Sequence, residues 1–174
     1  MEAKDGNAKC IEGRISTRKY ANGDVKKEEI MTLLKAGMEA PSAMNRRPYQ
    51  LIVNTDNAFW KDFDKVKPTC DIAATAPLTI LVVGDSNKNP TPEFLIEDCS
   101  VVSQNILLAA TDLGYGSLWC GIKFDSDFSK QLIEYFGLPS GFLPISLLLI
   151  GKPGEKKGHD QNRFEKSKIH FEKF

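Results

Sequence analysis

The sequence predicts an α+β domain in which helices pack on a mixed sheet. Three observations carry this. Two apolar runs stand out: 78–83 (LTILVV), bounded by Pro77 and Gly84, and 145–150 (ISLLLI), interrupted by Ser146 and ended by Gly151. Continuous apolar runs of this length suit strands buried on both faces. Between them, Glu97–Leu113 repeats apolar residues at helical spacing. Two shorter helical patterns, 26–40 and 125–136, complete the set. At 174 residues the chain is long enough for one sizeable core, and neither a repeat nor a low-complexity linker divides it. A single domain over 1–174 is expected.

In chain order, residues 1–9 are polar and are expected to fray. Asn22-Gly23-Asp24 supplies a turn before the helix Lys26–Ala40, whose Ile30, Leu33, Leu34, Gly37 and Met38 share a face and which Pro41 stops. Tyr49–Asn54 reads as a strand and Phe59–Val66 as a short amphipathic helix. After the strand 78–83, Asn87–Pro92 reads as a surface loop. The helix Glu97–Leu113 places Val101, Val102, Asn105, Ile106, Ala109, Ala110 and Leu113 on one broad face, and Gly114 follows as its C-terminal glycine. Asp125–Phe136 is a helix closed by Gly137 and Pro139. The tail from Lys152 is polar and basic until the alternation at 168–171 (KIHF), which predicts an edge strand.

Composition excludes several classes. Lys+Arg and Asp+Glu both total 23, so the net charge is zero, which argues against a general nucleic-acid binder. Cys10, Cys70, Cys99 and Cys120 form no CxxC pair, and there are only two histidines, so no metal site is expected. The N-terminus has no apolar signal segment, and no apolar run approaches the length of a membrane span. A cytoplasmic protein with reduced thiols, no nucleic-acid partner and no membrane partner is the expectation.

Four segments can carry chemistry. Arg14-Ile15-Ser16-Thr17-Arg18 places two guanidinium forks around two hydroxyls, a set suited to an anion such as phosphate. Ala40–Tyr49 (APSAMNRRPY) is a tight helix-to-strand loop rich in amide, hydroxyl and backbone donors, able to line the edge of a planar heterocycle. Leu113–Gly121 has three glycines that let backbone approach a ligand. It is not the dinucleotide fingerprint, because it follows a helix and not a first strand. The tail carries Lys156, Lys157 and Arg163. Taken singly, each also fits an ordinary surface turn, connector, helix cap or solvated tail. Trp119 and Cys120 read as core residues.

Together, in this order, these segments resemble the nitroreductase family of flavoproteins. Arg14–Tyr20 resembles its opening RxSxRx[YF] segment, Ala40–Asn45 its APSxxN loop, Leu113–Trp119 its LGxGSxW segment, 148–153 (LLIGKP) its strand-to-GxP element, and Asn162-Arg163-Phe164 its C-terminal arginine segment. The resemblance covers the chain from about residue 10 onward. It implies a mixed, mostly antiparallel central sheet flanked by helices, and a homodimer with FMN at the subunit interface. Arg14, Ser16 and Arg18 would bind FMN from the phosphate to the pyrimidine edge, with Arg163 completing the phosphate cradle. Pro41, Ser42 and Asn45 would reach the same flavin from the other subunit. Gly116 and Ser117 would lie at the N5 edge and donate backbone N–H groups. NAD(P)H would reduce the flavin, which would then reduce a nitroaromatic, quinone or similar small acceptor by ping-pong kinetics. Flavin carries the redox chemistry, so neither a catalytic side chain nor a metal is implied. The same arginines would equally serve a protein that binds or handles flavin without NAD(P)H turnover.

The sequence departs from the family pattern at Arg46-Arg47-Pro48-Tyr49, where glutamine and tryptophan commonly flank the proline. The stretches 54–76 and 84–97 are compact. Short insertions there imply an open, permissive site.

Overall fold

The computed structural model describes residues 7–63, 65–155 and 163–174. Four strands form the sheet: β1 (Tyr49–Asn54), β2 (Leu78–Asp85), β3 (Gly116–Gly121) and β4 (Phe142–Gly151). Their order is β1-β2-β4-β3 and every neighbouring pair is antiparallel. The helices are α1 (Asn7–Gly13), α2 (Lys27–Met38), α3 (Cys70–Ala73), α4 (Pro92–Asp112) and α5 (Asp127–Tyr135). This is the expected α+β architecture.

The two apolar runs become the central strands, and their period-two alternation divides them between two cores. Leu78, Ile80, Val82, Leu148 and Ile150 face Leu33 of α2 and Leu95, Val102 and Ile106 of α4. Leu81, Val83, Leu147 and Leu149 face Trp60, Phe63, α3 and Phe128 and Leu132 of α5. Ser146, the polar interruption of the second run, sits 2.7 Å from the Ser103 hydroxyl of α4, so it is buried with a partner. Gly37 is where α2 crosses α4: a Cβ there would meet Ile106 at 2.8 Å.

Five sequence expectations are corrected. The glycine-rich segment 116–121 is a strand, not a loop. The helix read from Glu97 starts earlier, at Pro92, where proline occupies the first turn without losing a hydrogen bond. The loop Asn87–Pro92 is not purely superficial, because Asn89 is fully buried. The tail forms a single 3-10 turn at Lys166–Lys168 instead of a strand, since its alternating residues meet no strand edge. Near the N-terminus, α1 adds a helix where the polar composition predicts fraying, and it packs against α4 at Thr111, 3.7 Å from the place a Cβ of Gly13 would occupy.

Candidate functional site

The segment after α1 runs along the free edge of β3. Ser16 makes a parallel bridge to Ser117, and the Thr17 N–H donates to the Ser117 carbonyl at 2.9 Å. The chain then crosses the end of β4. Tyr20 bridges Pro153, and Ala21 N–H donates to the Lys152 carbonyl at 2.9 Å. The Tyr20 hydroxyl donates to the Thr17 carbonyl at 3.0 Å and lies 3.3 Å from that of Leu149. Burial, reinforced by Cys120, pushes this phenol well above its ordinary range, so it stays a donor. These bonds fix the backbone from which Arg14, Ser16 and Arg18 project.

Gly116 has a concrete reason to lack a side chain: a Cβ would collide with the Thr17 side chain. The space beside it is filled by the first motif, so the two motifs share one spot. Two hydroxyls at this crossing, Thr17 Oγ1 and Ser117 Oγ, are buried without a hydrogen-bond partner. Such groups cost about 1–3 kcal/mol each when left unpaired. Arg14, Arg18 and Arg163 make no ion pair among the described residues. A shallow pocket of about 500 Å³ borders Arg18, Tyr20, Asp71, Thr75 and Gly154.

The second loop is stiff by construction. Met44, Asn45 and Arg47 all have positive φ, at 53°, 54° and 48°. Asparagine tolerates this region, but methionine and arginine pay a steric penalty of about 1 kcal/mol each. The loop holds itself there. The Ser42 hydroxyl accepts from the Arg47 N–H at 2.9 Å, and Asn45 Oδ1 accepts from Arg47 Nε at 3.0 Å. Both side chains therefore keep donors to spare: the Ser42 O–H and the Asn45 amide NH₂. Buried Asp98 of α4 accepts the Ala43 N–H at 2.7 Å. Neither this carboxylate nor Asn89 is evident from the sequence: Asp98 stands beside Glu97 and reads as another charge on the helix, and Asn89 reads as a loop polar residue.

Within one chain the two sets lie far apart. Arg14 follows Gly13 at the Thr111 end of α4, whereas the 41–47 loop is anchored at Asp98. At 1.5 Å rise per residue, these anchors are about 20 Å apart along the helix. The structure thus joins Arg14, Ser16 and Arg18 to Gly116 and Ser117, and holds Pro41, Ser42 and Asn45 separately. Arg163 is exposed and makes no ion pair among the described residues. Asn162, Lys156 and Lys157 lie outside the described residues.

The nitroreductase family model matches residues 11–66 and 54–152. The chain belongs to the nitroreductase family. A relative from Methanothermobacter thermautotrophicus, provisionally named an NADH dehydrogenase/NAD(P)H nitroreductase, is 36% identical over 95% of this chain and 86% of its own length. A similarly named crystal structure from Parabacteroides distasonis superposes with a TM-score of 0.91 at 30% identity, covering 98% of this chain and 100% of that one. An FMN-dependent nitroreductase from Clostridium difficile gives a TM-score of 0.86 at 28% identity over 96% and 99% of the two chains. As a nitroreductase, this chain takes its motifs in family order while placing them at opposite ends of α4. Among its described residues no helix is long and apolar enough to cross a membrane, and no cluster of three or more His, Cys, Asp or Glu is placed to hold a metal.

Proposed function

We propose that this chain is an NAD(P)H-dependent FMN oxidoreductase whose flavin site is completed between two copies. The observation that carries the reading is the separation of the two donor sets along α4. Neither set alone surrounds a ligand of flavin size, and a second copy brings the loop of one chain to the arginines of the other. The apolar side chains left exposed on the tail, Phe164, Ile169, Phe171 and Phe174, are a further surface for that copy to cover.

The residues suit the cofactor chemically. A phosphate near two negative charges matches Arg14 and Arg163, which have no carboxylate to neutralise them among the described residues, and Ser16 adds a hydroxyl donor. Arg18 places a permanent cation toward the pyrimidine edge, where it favours the anionic reduced form. Ser42 and Asn45 contribute their spare donors from the partner copy. Gly116 and Ser117 belong to the rigid edge of β3 and line the N5 side. When bound, FMN supplies the hydride chemistry between nicotinamide and a small acceptor such as a nitroaromatic or quinone. The chain itself binds, orients and excludes water, and the compact 84–97 segment leaves the acceptor face open. The proposed compartment is the cytoplasm, where NAD(P)H is available.

The test is the visible spectrum of purified protein, followed by anaerobic addition of NADH or NADPH. Flavin bands that bleach are the expected result. Bands that persist would assign a flavin-handling role without turnover, and no bands after FMN is supplied would overturn the site.

A further inference from the structure

We infer that Asp98 is the positioning residue of the 41–47 loop: its buried carboxylate holds Ala43 directly and Arg46 through Asn89, and so fixes where Ser42 and Asn45 present their donors. What the loop binds rests on the flavin reading above. The positioning is a property of the chain without any ligand.

Asp98 is 5% exposed and sits on α4 among Leu95, Cys99 and Val102, which belong to the core. No cation pairs with it among the described residues. A buried carboxylate is costly unless its oxygens are served by donors, and an apolar residue on this face would pack more favourably. Its two oxygens have two donors: the Ala43 N–H at 2.7 Å on Oδ1 and the Asn89 amide at 3.0 Å on Oδ2. Asn89 is itself fully buried, and its Oδ1 accepts from Arg46 Nη1 at 3.2 Å and from the Thr91 N–H at 3.4 Å. Donation therefore runs one way, from Arg46 to Asn89 to Asp98. Ala43 and Arg46, the two residues that bracket left-handed Met44 and Asn45, converge on one carboxylate. The anchor at each end offsets the backbone strain between them.

This polarity makes an exchange of partners diagnostic. Asp98→Asn keeps the shape but turns one acceptor into a donor. If the new amide keeps its bond to Ala43, its NH₂ faces the NH₂ of Asn89. Asn89 must then flip and turn donors toward Arg46. In the opposite orientation Ala43 loses its acceptor, so one anchor fails either way. Adding Asn89→Asp restores every donor–acceptor pair: the amide at 98 accepts from Ala43 and donates to the carboxylate at 89, which accepts from Arg46.

The experiment compares wild type, D98N and D98N/N89D by native-state amide exchange without flavin, and by FMN titration. Loss of a bond to a charged acceptor predicts exchange about tenfold faster or more at 43–47 in D98N, with the core amides of β2 and β4 unchanged. The FMN dissociation constant should rise about tenfold, and the double variant should return both values to within about threefold of wild type. Unchanged loop exchange in D98N, or a double variant that recovers neither value, overturns the proposal. If D98N does not fold, Arg46→Met cuts the outer end of the relay, together with the exposed contact of Arg46 Nη2 to Met44 Sδ at 3.3 Å, and leaves the Asp98–Ala43 bond in place. It should speed exchange at 44–47 and leave Ala43 protected, and equal protection throughout would overturn the proposal. Should wild type fail to bind FMN, the flavin reading falls alone, and the exchange experiment still decides the role of Asp98.

Discussion

Arg14 and Gly116 touch the same corner of the molecule but are expected to fail differently when replaced. Arg14 makes no ion pair among the described residues, so Arg14→Ala removes little that holds the fold. FMN affinity should drop about ten- to a hundredfold, as expected for a charge-assisted bond to phosphate, with Tm nearly unchanged. Titration and a thermal scan check this together; a large fall in Tm would assign Arg14 a structural role instead. Gly116→Ala drives a methyl group into Thr17, which is packed and hydrogen-bonded to β3. It should destabilise the flavin-free protein by about 1–3 kcal/mol, the usual cost of overpacking, and displace the arginine segment. An alanine variant with wild-type Tm would contradict the close approach seen here. At this scale the sequence displays its arginines and glycines openly, because their chemistry is unusual in any context. It hides Asp98 and Asn89, whose meaning depends on residues more than forty positions away.

Between elements, the link from α2 to β3 makes a pH prediction. The Tyr115 hydroxyl donates to Glu29 Oε2 at 2.7 Å, and the Lys26 N–H donates to the same oxygen at 3.1 Å. The bond to Tyr115 is the main cause that holds the Glu29 carboxyl below its usual range, while burial first, and Glu29 second, push the Tyr115 phenol up to about 12. A carboxyl whose folded pKa is depressed stabilises the fold above its unfolded pKa and loses that stabilisation as pH falls through the folded pKa. Tyr115→Phe should therefore lower Tm by a few degrees at neutral pH, and the deficit should shrink below the carboxylate range. An equal deficit at both pH values, measured by calorimetry, would rule out the ionised bond. Strand β3 also shows why this element was the hardest to read. Its terminal glycines and Ser117 suggest a loop, yet Gly116 is required by Thr17 packing rather than by a turn. By contrast, β2 and β4 were legible because both faces are buried, which forces mostly apolar runs broken only by Thr79 and Ser146 within 78–83 and 145–150. The alternation at 168–171 misled because a strand needs a partner edge, and periodicity alone does not supply one.

For the whole molecule, the fold class and the family motifs were readable, but their spatial arrangement was not. Sequence order says nothing of the roughly 20 Å that α4 puts between its Thr111 and Asp98 ends. That distance is what makes a site shared between two copies the natural reading. It also predicts complementation. One variant, Arg14→Ala with Arg18→Ala, damages only the first donor set. Another, Ser42→Ala with Asn45→Ala, damages only the second. The most direct test is to produce the two variants together, isolate the mixed assembly with two different affinity tags, and measure bound FMN against each parent. A shared site predicts flavin-poor parents and a mixed dimer that recovers one strong site per dimer, because one of its two sites carries both intact sets. A mixed assembly as flavin-poor as its parents would mean that each chain binds flavin with its own residues, and would contradict the account.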